Sequence, residues 1–148
     1  MSDVIKLSVP NKAEYVSTVR LAISSLAVKA GFDVEDIDDI KVAVSEACTN
    51  IICHSKIEEE HLYRIECELF DDKLEINVED DGVGFDTEEY QEPTETEALQ
   101  GGGLGIFIIR ALMDDVKVVS EESSGTCIKM IKYVQVSHND SELNSSNL

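Results

Sequence analysis

A chain of 148 residues with 31 acidic side chains against 12 Lys plus Arg carries a formal charge of −19, and 43% of it is hydrophobic. The length suits one domain with a real core, and the apolar fraction excludes a wholly disordered chain. The charge excludes a nucleic-acid backbone and an anionic membrane surface as partners, and makes a protein with a basic face the natural complement.

In chain order, Ile5, Leu7 and Val9 alternate with polar residues, which predicts a half-buried strand closed by Pro10. Asn11 followed by Glu14 fits a helix-opening capping box. Tyr15, Val19, Ala22, Ile23, Leu26 and Ala30 then share a helical stripe that Gly31 terminates. The acidic run from Asp33 to Asp39 opens a second helix, as the macrodipole favours. Its core stripe is Ile37, Ile40, Val44, Cys48 and Ile51; Glu46 and Asn50 stand off it, flanked by Ala43 and Ala47, whose small side chains would let a ligand come close.

Alternation from Ile65 to Leu69 and from Leu74 to Val78, with Asp71-Asp72 between, predicts a hairpin. After Asp80-Asp81-Gly82-Val83-Gly84 comes an acidic, aperiodic stretch over residues 86–100, a loop of functional length. The run Gly101-Gly102-Gly103-Leu104-Gly105 opens an apolar helix through Phe107, Ile108, Leu112 and Met113. Val116 to Ser120 and Thr126 to Val134, joined by a Ser123-Ser124-Gly125 turn, read as a closing hairpin. The layout predicts an α+β two-layer sandwich of a mixed, mainly antiparallel sheet with helices on one face, over residues 1–135. Residues 136–148 read as a polar, disordered tail.

No apolar run follows a basic start, and no stretch of roughly 18 apolar residues occurs, so the sequence predicts a soluble cytoplasmic protein. Cys48, Cys53, Cys67 and Cys127 show no paired spacing and read as free, mostly buried thiols. Cys53 beside His54 lacks the second cysteine pair of a zinc site.

Three elements carry chemistry. Glu46 and Asn50, one helical turn apart, fit a solvated helix face. They equally fit a general base beside an amide oxygen that ligates Mg²⁺, a hard cation that keeps waters and substrate phosphates as its other ligands. Asp80 with Gly82 and Gly84 fits a turn, or a carboxylate that accepts a hydrogen bond from an adenine amino group while glycines let the backbone pass the base. Gly101, Gly102, Gly103, Leu104 and Gly105 at a helix start offer bare N–H groups to an anion; neither a Walker loop nor a dinucleotide fingerprint fits them.

In this order the three elements resemble the Bergerat-type ATP-binding fold shared by gyrase, Hsp90, histidine kinases and MutL. Ser45-Glu46-Ala47-Cys48-Thr49-Asn50, Gly102-Gly103-Leu104-Gly105 and Leu112-Met113-Asp114-Asp115-Val116 resemble the anti-sigma factor serine-protein kinases. Val9-Pro10, Glu14-Tyr15-Val16 and Arg20-Leu21 are similar to the sigma-B, stress-response type, and the likeness runs over residues 4–134.

The resemblance implies a bacterial homodimer that holds an alternative sigma factor and uses ATP and Mg²⁺ to phosphorylate a serine or threonine of an anti-sigma factor antagonist. It assigns Glu46 as general base, Asn50 as Mg²⁺ ligand and Asp80 as adenine reader. Gly82 and Gly84 would lie beside the base, and Gly103 and Gly105 would face the phosphates. Arg20 is assigned to partner contact. The acidic 86–100 segment is expected to act as a lid. Two other readings are an anti-sigma module that binds ATP with little or no kinase activity, and the detached ATP-binding lobe of a histidine kinase.

Overall fold

The computed structural model describes residues 1–54, 61–80, 104–121 and 125–135. Strand β1 (Asp3–Pro10) leads through a 3-10 turn (Ala13–Tyr15) into helix α1 (Val16–Ala30) and then α2 (Val34–His54). The hairpin β2 (Leu62–Leu69) and β3 (Lys73–Asp80) follows, then α3 (Leu104–Leu112), β4 (Asp115–Glu121) and β5 (Gly125–Tyr133). The strands form one sheet in the order β1-β2-β3-β5-β4. Every described pairing in it is antiparallel, so the parallel component expected of a mixed sheet does not occur among the described residues.

The alternation read from the sequence sets which side of the sheet is covered. On β3, Leu74, Ile76, Val78 and Asp80 are buried while Lys73, Glu75, Asn77 and Glu79 are only half-buried. The buried residues of β2 and β5 lie in register with them: Ile65 opposite Val78 and Cys67 opposite Ile76, with Ile128 and Met130 on the other flank. The three helices pack on this side, α2 between α1 and α3, and join the strands in one core. The opposite face is polar, with ion pairs Lys6–Glu66 (3.8 Å), Arg64–Glu79 (3.4 Å) and Lys73–Glu75 (3.2 Å).

Helix boundaries follow local chemistry in two places. The Asp33 carboxylate accepts the Asp36 N–H at 2.8 Å, satisfying a first-turn donor of α2. Gly31 ends α1 with φ +94°, its N–H directed to the Ala27 and Val28 carbonyls. The capping box at Asn11 does not form: Lys12 precedes the 3-10 turn without a side-chain cap. Asn11 is buried, and its N–H donates to the His61 carbonyl at 3.0 Å, prolonging the β1–β2 ladder.

The small residues of α2 also differ from expectation. Ala43 and Ala47 are fully buried, so their small side chains serve close packing of the core and do not open α2 to a ligand. On α3 the buried positions are Ile106 and Ile109, with Met113 just beyond; Phe107 and Ile108 are half-buried. The segment Leu112 to Val116 is structural. The Asp114 N–H donates to the Ile131 carbonyl at 2.9 Å, and its carboxylate accepts the Tyr133 N–H at 2.7 Å, folding the end of α3 onto β5. No described helix is long and apolar enough to cross a membrane.

Candidate nucleotide site

Asp80 is the last residue of β3, on the helix-covered side, and only 4% of it is exposed. It continues the line of Leu74, Ile76 and Val78, so a carboxylate takes the place of an aliphatic side chain at the rim of the core. Tyr63 stands opposite it on β2. The β3–β5 register, which sets Glu79 opposite Cys127, brings Thr126 beside Asp80 when continued by one residue. Thr126 is 7% exposed, so a hydroxyl and a carboxylate share the same buried strand end.

Gly125 holds this corner together. Its φ is +87°, and a Cβ added there would lie 2.0 Å from the Asp80 carbonyl oxygen and 3.0 Å from Asp80 Oδ1. The position needs glycine twice over, for its left-handed backbone and for its contact with Asp80. The expectation that Gly125 is a turn residue gives way to a strand residue against the candidate adenine reader.

Glu46 and Asn50 are half-buried on successive turns of α2. Helix α3 begins directly against Glu46: a Cβ on Gly105 would lie 3.1 Å from Glu46 Oε2 and 3.9 Å from its Cβ. The structure thus brings Glu46 and Gly105 together, with Leu104 exposed at the helix start. Arg20 is exposed on α1. Gly82, Gly84, Gly101, Gly102 and Gly103, the 86–100 segment and the 136–148 tail lie outside the described residues.

Beneath the site, the Cys48 thiol of α2 lies against the Tyr63 hydroxyl, both fully buried. Burial pushes the Cys48 thiol up to about 12, the Tyr63 hydroxyl drawing it back a little, and burial raises Tyr63 as well. Cys48 is therefore a packing residue and no nucleophile. All four cysteines are free, Cys53 being exposed and Cys127 half-buried.

Thr126 is a buried polar residue at this corner that the sequence reading did not single out. It alternates with Ile128 and Met130 on the buried face of β5, whose far end carries the buried Lys132.

The chain as a whole is similar to known proteins. A model of the histidine kinase-like ATPase domain matches residues 9–132. A protein of Listeria innocua serovar 6a named serine-protein kinase RsbW is 44% identical over 142 residues, covering 90% of this chain and 89% of that protein. One of the same name from Bacillus cereus strain AH187 is 40% identical over 138 residues, covering 88% and 85%. Among solved structures, a chain of the SiaB–SiaC complex from Pseudomonas aeruginosa superposes with a TM-score of 0.67 at 12% identity, over 86% of this chain and 88% of that one. The RsbU and RsbW domains of Rv1364c from Mycobacterium tuberculosis give 0.64 at 17% identity, over 88% of this chain and 31% of that one; both likenesses concern the fold.

Proposed function

Because the chain belongs to the RsbW serine-protein kinases, built on a histidine kinase-like ATPase domain, we propose that it holds an alternative sigma factor and phosphorylates a serine or threonine of that factor's antagonist. It acts as a bacterial cytoplasmic homodimer in a stress response, with Arg20 on a partner-facing surface. The net charge of −19 favours a partner with a basic face and opposes direct contact with nucleic acid.

The adenine lies at the Asp80 end of the sheet, where the carboxylate accepts a hydrogen bond from the exocyclic amino group, with the buried Thr126 on the neighbouring strand. Gly82 and Gly84 border the base. The phosphates lie toward the start of α3, where Gly101, Gly102, Gly103, Leu104 and Gly105 lead into first-turn N–H groups free of helical partners. Asn50, through its amide oxygen, is the residue that would hold Mg²⁺, and an all-oxygen donor set completed by phosphates and water fits that ion. When bound, the ion would neutralise phosphate charge.

Glu46 is the general base, taking the proton from the incoming serine or threonine hydroxyl. The observation that supports this reading is the closeness of its carboxylate to the first turn of α3, where a Cβ on Gly105 would lie 3.1 Å from Glu46 Oε2. The test is Glu46→Gln in single-turnover phosphorylation of the antagonist with nucleotide saturating. The reading expects unchanged ATP affinity and a loss of about 10²–10⁴-fold in phosphotransfer. Phosphotransfer at the parental rate would remove Glu46 from the chemistry; absence of transfer by the parent protein itself would return the chain to a binding module.

A further inference from the structure

We propose that Gly105 is a positioning residue whose missing side chain seats the Glu46 carboxylate, so that the first turn of α3 sets where the base stands. This rests on the general-base reading of Glu46 and goes beyond it by naming what holds the base.

The backbone gives no reason for glycine at this position. Among the described residues only Gly31 and Gly125 have a positive φ, so Gly105 takes an ordinary helical conformation. Alanine is the better helix former there, and glycine is kept against local stability. The surroundings supply the reason. The three heavy atoms nearest to an added Cβ all belong to Glu46: Oε2 at 3.1 Å, Cβ at 3.9 Å and the carbonyl oxygen at 3.9 Å. The glycine opens onto one residue of another helix, and onto the reacting end of its side chain.

Electrostatics act in the same direction. A carboxylate beside the first turn of a helix faces the positive end of the macrodipole. The turn that the resemblance assigns to the phosphates is therefore also the wall against which the base rests. Any displacement of that turn relative to α2 moves Glu46, and an added methyl group must push Oε2 aside.

The test is a set of variants: Gly105→Ala alone, Glu46→Asp and Glu46→Gln alone, and Gly105→Ala in each of those backgrounds. Each is assayed for thermal stability, ATP affinity and single-turnover phosphotransfer to the purified antagonist. Gly105→Ala is expected to melt no lower than the parent; because Gly105 also borders the phosphates, turnover is compared with nucleotide saturating, where it should fall about 10- to 100-fold. In the Glu46→Asp background, where the carboxylate is withdrawn by one methylene, the added methyl should cost about threefold or less; in the Glu46→Gln background it should cost nothing further.

Two results overturn the seat: parental turnover in Gly105→Ala, or a loss of turnover at saturating nucleotide that is equally large whichever residue stands at 46. Either can occur while Glu46→Gln is slow, and then only the positioning role falls. Parental turnover in Glu46→Gln removes the base itself, and the seat with it.

Discussion

Gly125 and Gly31 offer a controlled comparison, because both adopt a left-handed backbone, at φ +87° and +94°, in different surroundings. Around Gly31 the nearest atom to an added Cβ is Val134 Cγ1 at 4.0 Å, so Gly31→Ala pays only the backbone term, about 1–2 kcal/mol. At Gly125 the same term is joined by a Cβ 2.0 Å from the Asp80 carbonyl oxygen and 2.9 Å from its carbon. Backbone atoms cannot swing away as a side-chain tip can, so the ends of β3 and β5 must separate. Overpacking and a weakened ladder bond raise the total to about 3–5 kcal/mol, a large share of the roughly 5–15 kcal/mol that holds such a domain together. In thermal melts Gly125→Ala should fall about 10 °C and Gly31→Ala about 5 °C. Only the first should weaken ATP, by about tenfold in a titration, because it moves the Asp80 carboxylate. Melting points within about 2 °C of each other, or parental ATP affinity in Gly125→Ala, would refute the claim that Gly125 builds the nucleotide corner.

Asp80→Asn should keep the fold and lose about 1.5–3 kcal/mol of ATP binding, measured by calorimetric titration against ATP and GTP, since an amide can turn a donor toward the adenine amino group. Chelating divalent cations with EDTA should weaken ATP and leave the melting point of the nucleotide-free protein unchanged. Lys132→Met should cost about 2–4 kcal/mol at neutral pH, because the buried ammonium donates to the Leu112 carbonyl at 2.5 Å and stands 3.8 Å from Asp36 and 3.9 Å from Asp39. That loss should shrink in urea titrations as the pH falls, because burial, then the neighbouring Asp33, already raises the Asp36 carboxyl and removing Lys132 raises it further, so the folded state takes up the proton first. Stability should also decline as the pH rises from about 9 toward 12. There the unfolded chain loses thiol protons that folded Cys48 and Cys67, both raised to about 12, retain. Each thiol contributes up to about 1.4 kcal/mol per pH unit, and Cys48→Ala should make that decline shallower.

Much of the fold was legible because its signals are local. Gly31 stops a helix, Asp33 starts one, and alternation on β2 and β3 names the buried side without reference to anything distant. Where the reading failed, the deciding partner was remote or the pattern degenerate. Asn11 looked like a cap, but the His61 carbonyl claims its N–H across the sheet. Helix α3 is apolar nearly all round, so its periodicity cannot separate Ile106 and Ile109 from Phe107 and Ile108; the position of α2 does. Ala43 and Ala47 show the same limit, since a small residue on a helix allows close approach by a ligand or by the core alike.

The site was legible in kind and not in arrangement. Residue chemistry singled out Glu46, Asn50 and Asp80, but the sequence holds nothing that sets Gly105 against Glu46 or Gly125 against Asp80. Those contacts follow from α3 lying on α2 and from β5 pairing with β3. The arrangement also explains how so acidic a protein can hold an anionic nucleotide. The ion pairs on the outer sheet face are largely exposed and neutralise little, and Glu46, Asn50, Asp80 and Thr126 are all acidic or neutral. In the proposed site, attraction for the phosphates would come from the N–H groups at the start of α3 and from a divalent cation. In the proposed arrangement Glu46, close to that same helix end, and the phosphates would lean on one structural element, and the order of that turn would bear on both binding and transfer.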